Sequence, residues 1–261
     1  MTPFTQLLAD LSGTGRVYRV RLSDDWRQGR TAYGGITAAL CYEATKRHVG
    51  MAGALRSAQF AFIGPATGDF EITVATLRQG KSTVFAAADL VGEGGLAVRS
   101  LFCFGALRES QFDLSDLPAP DAPAPEACGA FFQRDAGPAF RVHFDTRIAA
   151  GARPVSGADK PDVTLWAKHV DPAASGLVAL IALADAPPPA AMGLFTQPAP
   201  ISTMTWMIDV IDPQPETEDG WWLCRSTGQT VKDGYSAQAM RIWNRAGEPV
   251  LVGRQSVAVF A

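Results

Sequence analysis

One carboxylate stands out by its position in the chain. Residues 177–185 read as an apolar helical run with a single acid, Asp185, shortly before the three prolines at 187–189. Aspartate is rarely buried, and at a helix C-terminus its charge is unfavourable because that end is already negative. A carboxylate in this position is either a solvated helix end or a general base whose pKa burial raises toward neutrality.

A pair of glycines, Gly34 and Gly35, precedes a second helical pattern, in which Ile36, Leu40 and Ala44 recur at helical spacing. Glycines at a helix N-terminus allow a ligand to approach unpaired backbone N–H groups at the positive end. Such groups suit an oxyanion that develops on a carbonyl oxygen. The alternative is a loop that leads into a helix and has no further role.

A third candidate, Gln255, lies in the last predicted strand. Strict alternation there places it on one face with Leu251, Gly253 and Val257. An amide on a buried apolar face needs hydrogen-bond partners, so this position indicates a polar site or a satisfied core residue.

The histidines give no sign of a covalent serine mechanism. His48, His143 and His169 are the three in the chain, and none stands beside a Gly-x-Ser-x-Gly turn. If the chain catalyses hydrolysis, the sequence favours direct attack by water.

The elements that would position these residues occur twice in the same order. A helix at 34–48 is followed by four strand-like stretches at 57–63, 69–78, 82–91 and 96–105, and a helix at 174–186 by four at 201–211, 221–230, 235–243 and 249–260. Two further strand candidates, 141–148 and 163–170, precede the second helix. This repeat predicts an α+β fold in which each half wraps an antiparallel sheet around an apolar helix.

The segment between the repeats is rich in proline, alanine and acidic residues. It predicts a linker at 113–140 that separates a unit at 1–112 from a unit at 141–261.

Composition limits the function further. A net charge of −3 gives no electrostatic reason to expect binding to nucleic acid or to an anionic membrane. Four widely spaced cysteines without a Cys-x-x-Cys pattern argue against structural zinc and a disulfide scaffold, and suggest a reducing compartment. No metal and no cofactor are expected. No apolar run approaches about 18 residues, and the N-terminus lacks a signal-peptide pattern. We therefore expect a cytoplasmic protein without a membrane span.

Five segments resemble motifs of one protein family, and they follow one another in the same order as in that family. They are YGGITAAL, LRQGKSTVFAAADLVGEGGLAVRSLFCF, LIALAD, STMTWMIDVIDP and GEPVLVGRQ. Together they resemble the double-hotdog acyl-CoA thioesterases of the thioesterase II type over nearly the whole chain. The resemblance implies a double hotdog with two curved sheets, each around a long helix, and an acyl-CoA substrate.

The resemblance also implies a polar trio that holds the hydrolytic water. Its Asp, Thr and Gln fall on Asp185, Thr203 and Gln255. The chain departs from the family in having Thr205 where an Asp is frequent and Lys81 where Arg is usual. From the residues alone, Thr203 is equally an ordinary strand residue, since threonine favours strands.

The two halves have lost complementary parts of a site. The first keeps Gly34-Gly35 but offers only Tyr42 and Glu43 where an acid would stand, whereas the second keeps Asp185 but starts its helix at Ser175-Gly176. In dimers of single-hotdog thioesterases, which the pattern resembles, the glycine of one copy faces the acid of the other. We therefore expect one site between the halves, with Glu43 as the rival base.

Other interpretations stay open at this stage. Arg78 and Lys81 flank a turn and either meet the phosphates of coenzyme A or are simply solvated. A non-catalytic acyl- or CoA-binding or scaffold protein is an alternative, as is a hotdog hydratase, although the usual Asp/His pair is not visible. Exposed sheet edges predict a homodimer or tetramer.

Overall fold

The first half contains the predicted helix followed by four long strands. The computed structural model describes residues 1–50, 53–132 and 137–261. The helices and strands of the first half are α1 (Phe4–Asp10), β1 (Ser12–Thr14), β2 (Val17–Arg21), β3 (Arg27–Gln28), β4 (Thr31–Ala32), α2 (Gly34–Val49), β5 (Ala54–Phe62), β6 (Asp69–Gln79), β7 (Thr83–Gly92) and β8 (Gly95–Gly105).

The second half repeats this order. Its elements are β9 (Phe144–Gly151), β10 (Asp162–His169), α3 (Gly176–Ala184), β11 (Ile201–Val210), β12 (Trp222–Lys232), β13 (Tyr235–Trp243) and β14 (Pro249–Val259). All eight residues from Leu177 to Ala184 are buried, as expected for a helix that is apolar on every side.

The strands of both halves form one sheet, which corrects the expectation of two. Within the described residues the order is β1-β2-β6-β7-β8-β5-β11-β14-β13-β12-β10-β9, and β3 and β4 form a separate ribbon. The halves join where β5 pairs antiparallel with β11, with Phe60 opposite Trp206. Each of these strands would otherwise present an edge of unpaired N–H and C=O groups, so their pairing removes two edges at once.

The two long helices pack against each other under this sheet. α2 contacts β6, β7 and β8, whereas α3 contacts β10. They run in opposite directions, because Gly34 at the start of α2 lies beside Asp185 at the end of α3. Apolar residues of both halves form one continuous core around them.

The segment between the halves is irregular but attached to the second half. The indole Nε1 of Trp166 donates to the carbonyl of Pro123 at 2.8 Å, and that of Trp243 donates to the carbonyl of Leu117 at 2.8 Å. Residues 133–136 of the predicted linker lie outside the described residues. The domain limits stay a prediction, because the halves share a sheet and a core.

The N-terminal helix α1 was not expected from the sequence. It joins the two halves at the end of the helix pair opposite Asp185. Arg47 near the end of α2 donates to the carbonyls of Leu8 and Leu11, and the carboxylate of Asp171, ahead of α3, accepts from the backbone N–H and hydroxyl of Thr5. α1 therefore covers this end of the helix pair.

Candidate active site

A large, mainly apolar cavity lies at the junction of the halves. Its volume is about 1010 Å³, and both halves line it. Among the described lining residues the charged ones are Asp185 and Arg153, whereas the wall includes Phe62, Phe140 and the prolines at 187–189. The cavity therefore suits an apolar ligand with one reactive polar group near a carboxylate.

Asp185 is the first residue beyond α3, on the wall of this cavity. Its Oδ1 accepts a hydrogen bond of 2.7 Å from Nε2 of Gln255. Its Oδ2 lies next to Gly34, since a Cβ added at that glycine would be 2.7 Å from it. One carboxylate oxygen is thus held by the sheet, and the other faces the N-terminus of α2.

Burial raises the pKa of Asp185 to about 7. Hydrogen bonds from Gln255 and from the backbone N–H of Gly35 act in the opposite direction, because they favour the ionised form. A carboxyl group poised between its two protonation states at neutral pH suits general acid–base chemistry.

The glycine pair allows α2 to approach α3 closely. A Cβ on Gly35 would lie 2.5 Å from the carbonyl oxygen of Ala182, a distance that real contacts do not reach. The hydroxyl of Tyr33 also donates to this carbonyl at 2.8 Å. Gly34 lines the cavity, whereas Gly35 faces α3 behind it. These contacts bring the positive end of α2 to the carboxylate.

We expect Gly35→Ala to destabilise the protein by about 1–3 kcal/mol, because the added methyl meets the α3 backbone and cannot rotate away. Urea unfolding of the variant measures this effect. Gly129→Ala is the matched control, since a Cβ there meets nothing within 4 Å. Equal stability of the two variants would contradict the close approach of α2 and α3.

Gln255 lies on β14 with 4% of its surface exposed, on the buried face predicted from alternation. Thr203 lies on β11 and lines the same cavity as Asp185. A bulge follows it, and it pairs with Val257, two residues along β14 from Gln255. Among the described hydrogen bonds, none joins the Thr203 hydroxyl to Asp185 or Gln255. Asp185 and Gln255 therefore touch directly, and Thr203 shares the cavity with the acid.

Thr205, the departure from the family pattern, is exposed and absent from the cavity wall. The bulge between Thr203 and Thr205 separates the two threonines.

Sequence reasoning missed Gln238, which contacts Gln255. It lies opposite Gln255 on β13, is 0% exposed, and donates from Nε2 to Oε1 of Gln255 at 2.6 Å. The alternation that selected Gln255 also applies here, because Gln238 shares a face with buried Met240 and Ile242.

The rival base, Glu43, is part of a different structure. It lies on α2, 8% exposed, and its carboxylate pairs with Lys46 at 2.5 Å and with Arg47 at 2.8 Å. Glu43 does not line the cavity. Through Arg47 it supports the attachment of α1 instead.

The proposed phosphate-binding residues are not on the cavity wall either. Arg78 is the penultimate residue of β6 and Lys81 lies in the turn to β7, and both are exposed. Among the described residues of the wall the cation is Arg153, which donates to the carbonyls of Phe131 and Ala130.

Comparison with protein families shows which family the chain belongs to. The acyl-CoA thioesterase N-terminal domain matches residues 22–105, and the acyl-CoA thioesterase C-terminal domain matches residues 115–259. The chain belongs to the acyl-CoA thioesterase family. The resemblance noted from the sequence motifs is thereby confirmed. A search of curated proteins found no match.

Solved structures share the fold of this family member. A conserved hot dog fold protein of unknown function from Alicyclobacillus acidocaldarius is 22% identical, with a TM-score of 0.87 over 97% of this chain and 98% of that one. Acyl-CoA thioesterase II TesB2 from Mycobacterium marinum is 17% identical, with a TM-score of 0.75 over 97% and 96%. The tesB protein of Mycobacterium avium subspecies paratuberculosis is 16% identical, with a TM-score of 0.74 over 98% and 99%. At these identities the likeness establishes the hotdog fold.

The part of the chain that the structure describes lacks two further features. There, no group of three or more His, Cys, Asp or Glu side chains is placed to hold a metal ion. No helix in the same residues has the length and apolar character needed to cross a membrane.

Proposed function

We propose that this thioesterase-family protein hydrolyses acyl-CoA thioesters by direct attack of water, with Asp185 as the general base. Membership of the acyl-CoA thioesterase family supports thioester hydrolysis in general. The observation that carries the specific proposal is a carboxyl group of pKa about 7 on the wall of an apolar cavity, beside a helix N-terminus.

The two carboxylate oxygens have different neighbours, and we assign them different tasks. Gln255 holds Oδ1, so the carboxylate cannot rotate freely, and Oδ2 is left beside Gly34. We assign to Oδ2 the role of accepting a proton from the attacking water. Thr203 supplies a hydroxyl on the wall of the same cavity, and we assign it a second hydrogen bond to this water.

The reaction then needs a donor for the oxyanion. Water adds its oxygen to the thioester carbonyl carbon while Asp185 takes a proton, and the carbonyl oxygen becomes negatively charged. Of the two glycines, Gly34 lines the cavity, so we assign its N–H to the oxyanion, whereas the N–H of Gly35 supports the carboxylate. When the C–S bond breaks, Asp185 returns its proton to the departing thiolate, giving free acid and free CoA.

Gln255→Ala should lower kcat by about 10–100-fold, less than loss of the base, because the carboxylate remains but loses the contact that orients it. Steady-state rates at saturating acyl-CoA measure this effect. Ser236→Ala is the control, since Ser236 is a buried polar residue of the neighbouring strand outside the hydrogen bonds to Asp185. Equal kcat in wild type and Gln255→Ala would contradict the assigned role.

Release of free thiol from a panel of short-, medium- and long-chain acyl-CoAs tests the function itself. We expect turnover of at least one chain-length class, with an acid limb near pH 7 in kcat. Binding of acyl-CoA without thiol release from any of them would favour an acyl-binding protein instead. Turnover that shows no acid limb would reject Asp185 as the base.

A further inference from the structure

A buried chain of hydrogen bonds extends from Asp185 into the second half. The backbone N–H of Ala190 donates to Oε1 of Gln238 at 2.9 Å, and Nε2 of Gln238 donates to Oε1 of Gln255 at 2.6 Å. Nε2 of Gln255 then donates to Asp185 at 2.7 Å. Ala190, Gln238 and Gln255 are buried, and Asp185 at the end of the path is half-buried on the cavity wall.

The backbone N–H of Ala190 determines the direction in which every hydrogen bond of this buried chain is donated. A side-chain amide offers an oxygen at one position and an NH₂ at the other, so its orientation depends on its partners. A backbone N–H can only donate, and the one at Ala190 therefore requires Oε1 of Gln238 to face it. The NH₂ of Gln238 must then face Gln255, and the NH₂ of Gln255 must face Asp185.

The proline run explains why Ala190 supplies this donor. Residues 187–189 have no backbone N–H, so Ala190 carries the first one after Ala186. The N–H of Ala186 is already bonded to the carbonyl of Leu183. Ala190 begins a short helical turn, where the first N–H groups have no partner within the turn. Gln238 satisfies this orphan donor.

We propose that Gln238 is a positioning residue that fixes the amide of Gln255 with its NH₂ toward Asp185, and thereby keeps the base ionisable at neutral pH. This inference rests on the proposed function for its catalytic consequence, but its effect on Asp185 is independent of turnover. Without Gln238, Oε1 of Gln255 loses its donor, and the amide gains by turning that oxygen toward a protonated Asp185.

The other ionisable groups near this site do not compete with Asp185 in the neutral range. Tyr33, before α2, and Cys224, on β12, are both buried, and burial raises the pKa of Tyr33 well above its ordinary value and that of Cys224 to about 12. Arg153 is the other charged residue on the described cavity wall. The polar groups that β11, β13 and β14 contribute here are neutral: Gln255 donates to Asp185, Gln238 contacts Gln255, and Thr203 lines the same cavity.

Gln238→Met keeps the approximate volume and removes both the donor and the acceptor. We expect it to raise the midpoint of the acid limb of kcat by about one pH unit, because the ionised form of Asp185 loses its hydrogen bond. In a Gln255→Met background the same substitution should leave the midpoint unchanged. Ser236→Ala, on the same face of β13, is the matched control and should not move it.

The pKa of Asp185 can also be measured without any turnover, as the pH midpoint of the difference in unfolding free energy between a protein and its Asp185→Asn variant, determined once in the wild-type background and once in the Gln238→Met background. If Gln238→Met lowers activity equally at every pH and leaves both midpoints in place, Gln238 is merely structural and the proposal is wrong. A shift that persists in the Gln255→Met background also overturns it. If wild type releases no thiol while the pH midpoint assigned to Asp185 by unfolding still moves in Gln238→Met, the positioning role stands and the hydrolytic function fails.

Discussion

Asp185→Asn should reduce kcat by at least about 100-fold, because a general base contributes about 10²–10⁴ to a rate. The asparagine keeps the shape and can still accept from Gln255, but it cannot take a proton from water. KM should change far less, since the carboxylate meets the water and not the acyl chain. Thiol release at saturating acyl-CoA measures the change.

Glu43→Gln is the matched control for this experiment. It also neutralises a buried carboxylate, but Glu43 lies within α2 and is paired with Lys46 and Arg47 away from the cavity. We expect wild-type kcat from this variant. If Glu43→Gln abolishes turnover while Asp185→Asn keeps it, the base belongs to the other half.

Asp185 should also make the protein less stable as the pH rises from about 4 to about 7. The folded-state pKa is about 7, above the ordinary value near 3.9 in an unfolded chain. A raised pKa means that the contribution to stability is fully present below pH 3.9 and is lost as the pH rises through 7. This shift corresponds to about 4 kcal/mol.

The measurement compares urea unfolding of wild type and Asp185→Asn between pH 4 and 8.5. The difference in unfolding free energy between the two proteins isolates the contribution of Asp185. Asp25 and Asp171 have lowered pKa values and therefore change stability with pH in the opposite direction, but they do so equally in both proteins. The variant should gain stability relative to wild type across this range. A pH-independent difference would show that Asp185 titrates at an ordinary pKa.

Much of the fold could be predicted because its elements are marked locally. The helices at 34–48 and 174–186 correspond to α2 (Gly34–Val49) and α3 (Gly176–Ala184), and four strands follow each. The single sheet was not predictable from periodicity, because alternation shows which face of a strand is buried and not which strand lies beside it. The helix α1 is too short, at seven residues, to give a clear periodic signal.

The site was partly predictable for the same physical reasons. Asp185 and Gln255 break otherwise apolar patterns, and the structure joins them by a hydrogen bond. Gln238 was missed although the same alternation marks it, because the pairing of β13 with β14 that brings it to Gln255 is not visible in the sequence. The ion pairs of Glu43 with Lys46 and Arg47 follow the i,i+3 and i,i+4 spacing of a helix, a local signal that the search for a second base passed over. The catalytic roles of Asp185, Thr203 and Gln255 stay predictions.

The pairing of β5 with β11 has a consequence for how the protein reaches its native state. These strands come from different halves, so their contact closes a long loop in the chain, and such non-local pairing forms slowly. Until β11 arrives, β5 has an open edge, where a growing or refolding chain is prone to self-association. The cavity beside Asp185 is built from both halves and exists only after this step. Recovery of thioester hydrolysis during refolding should therefore trail the recovery of secondary structure.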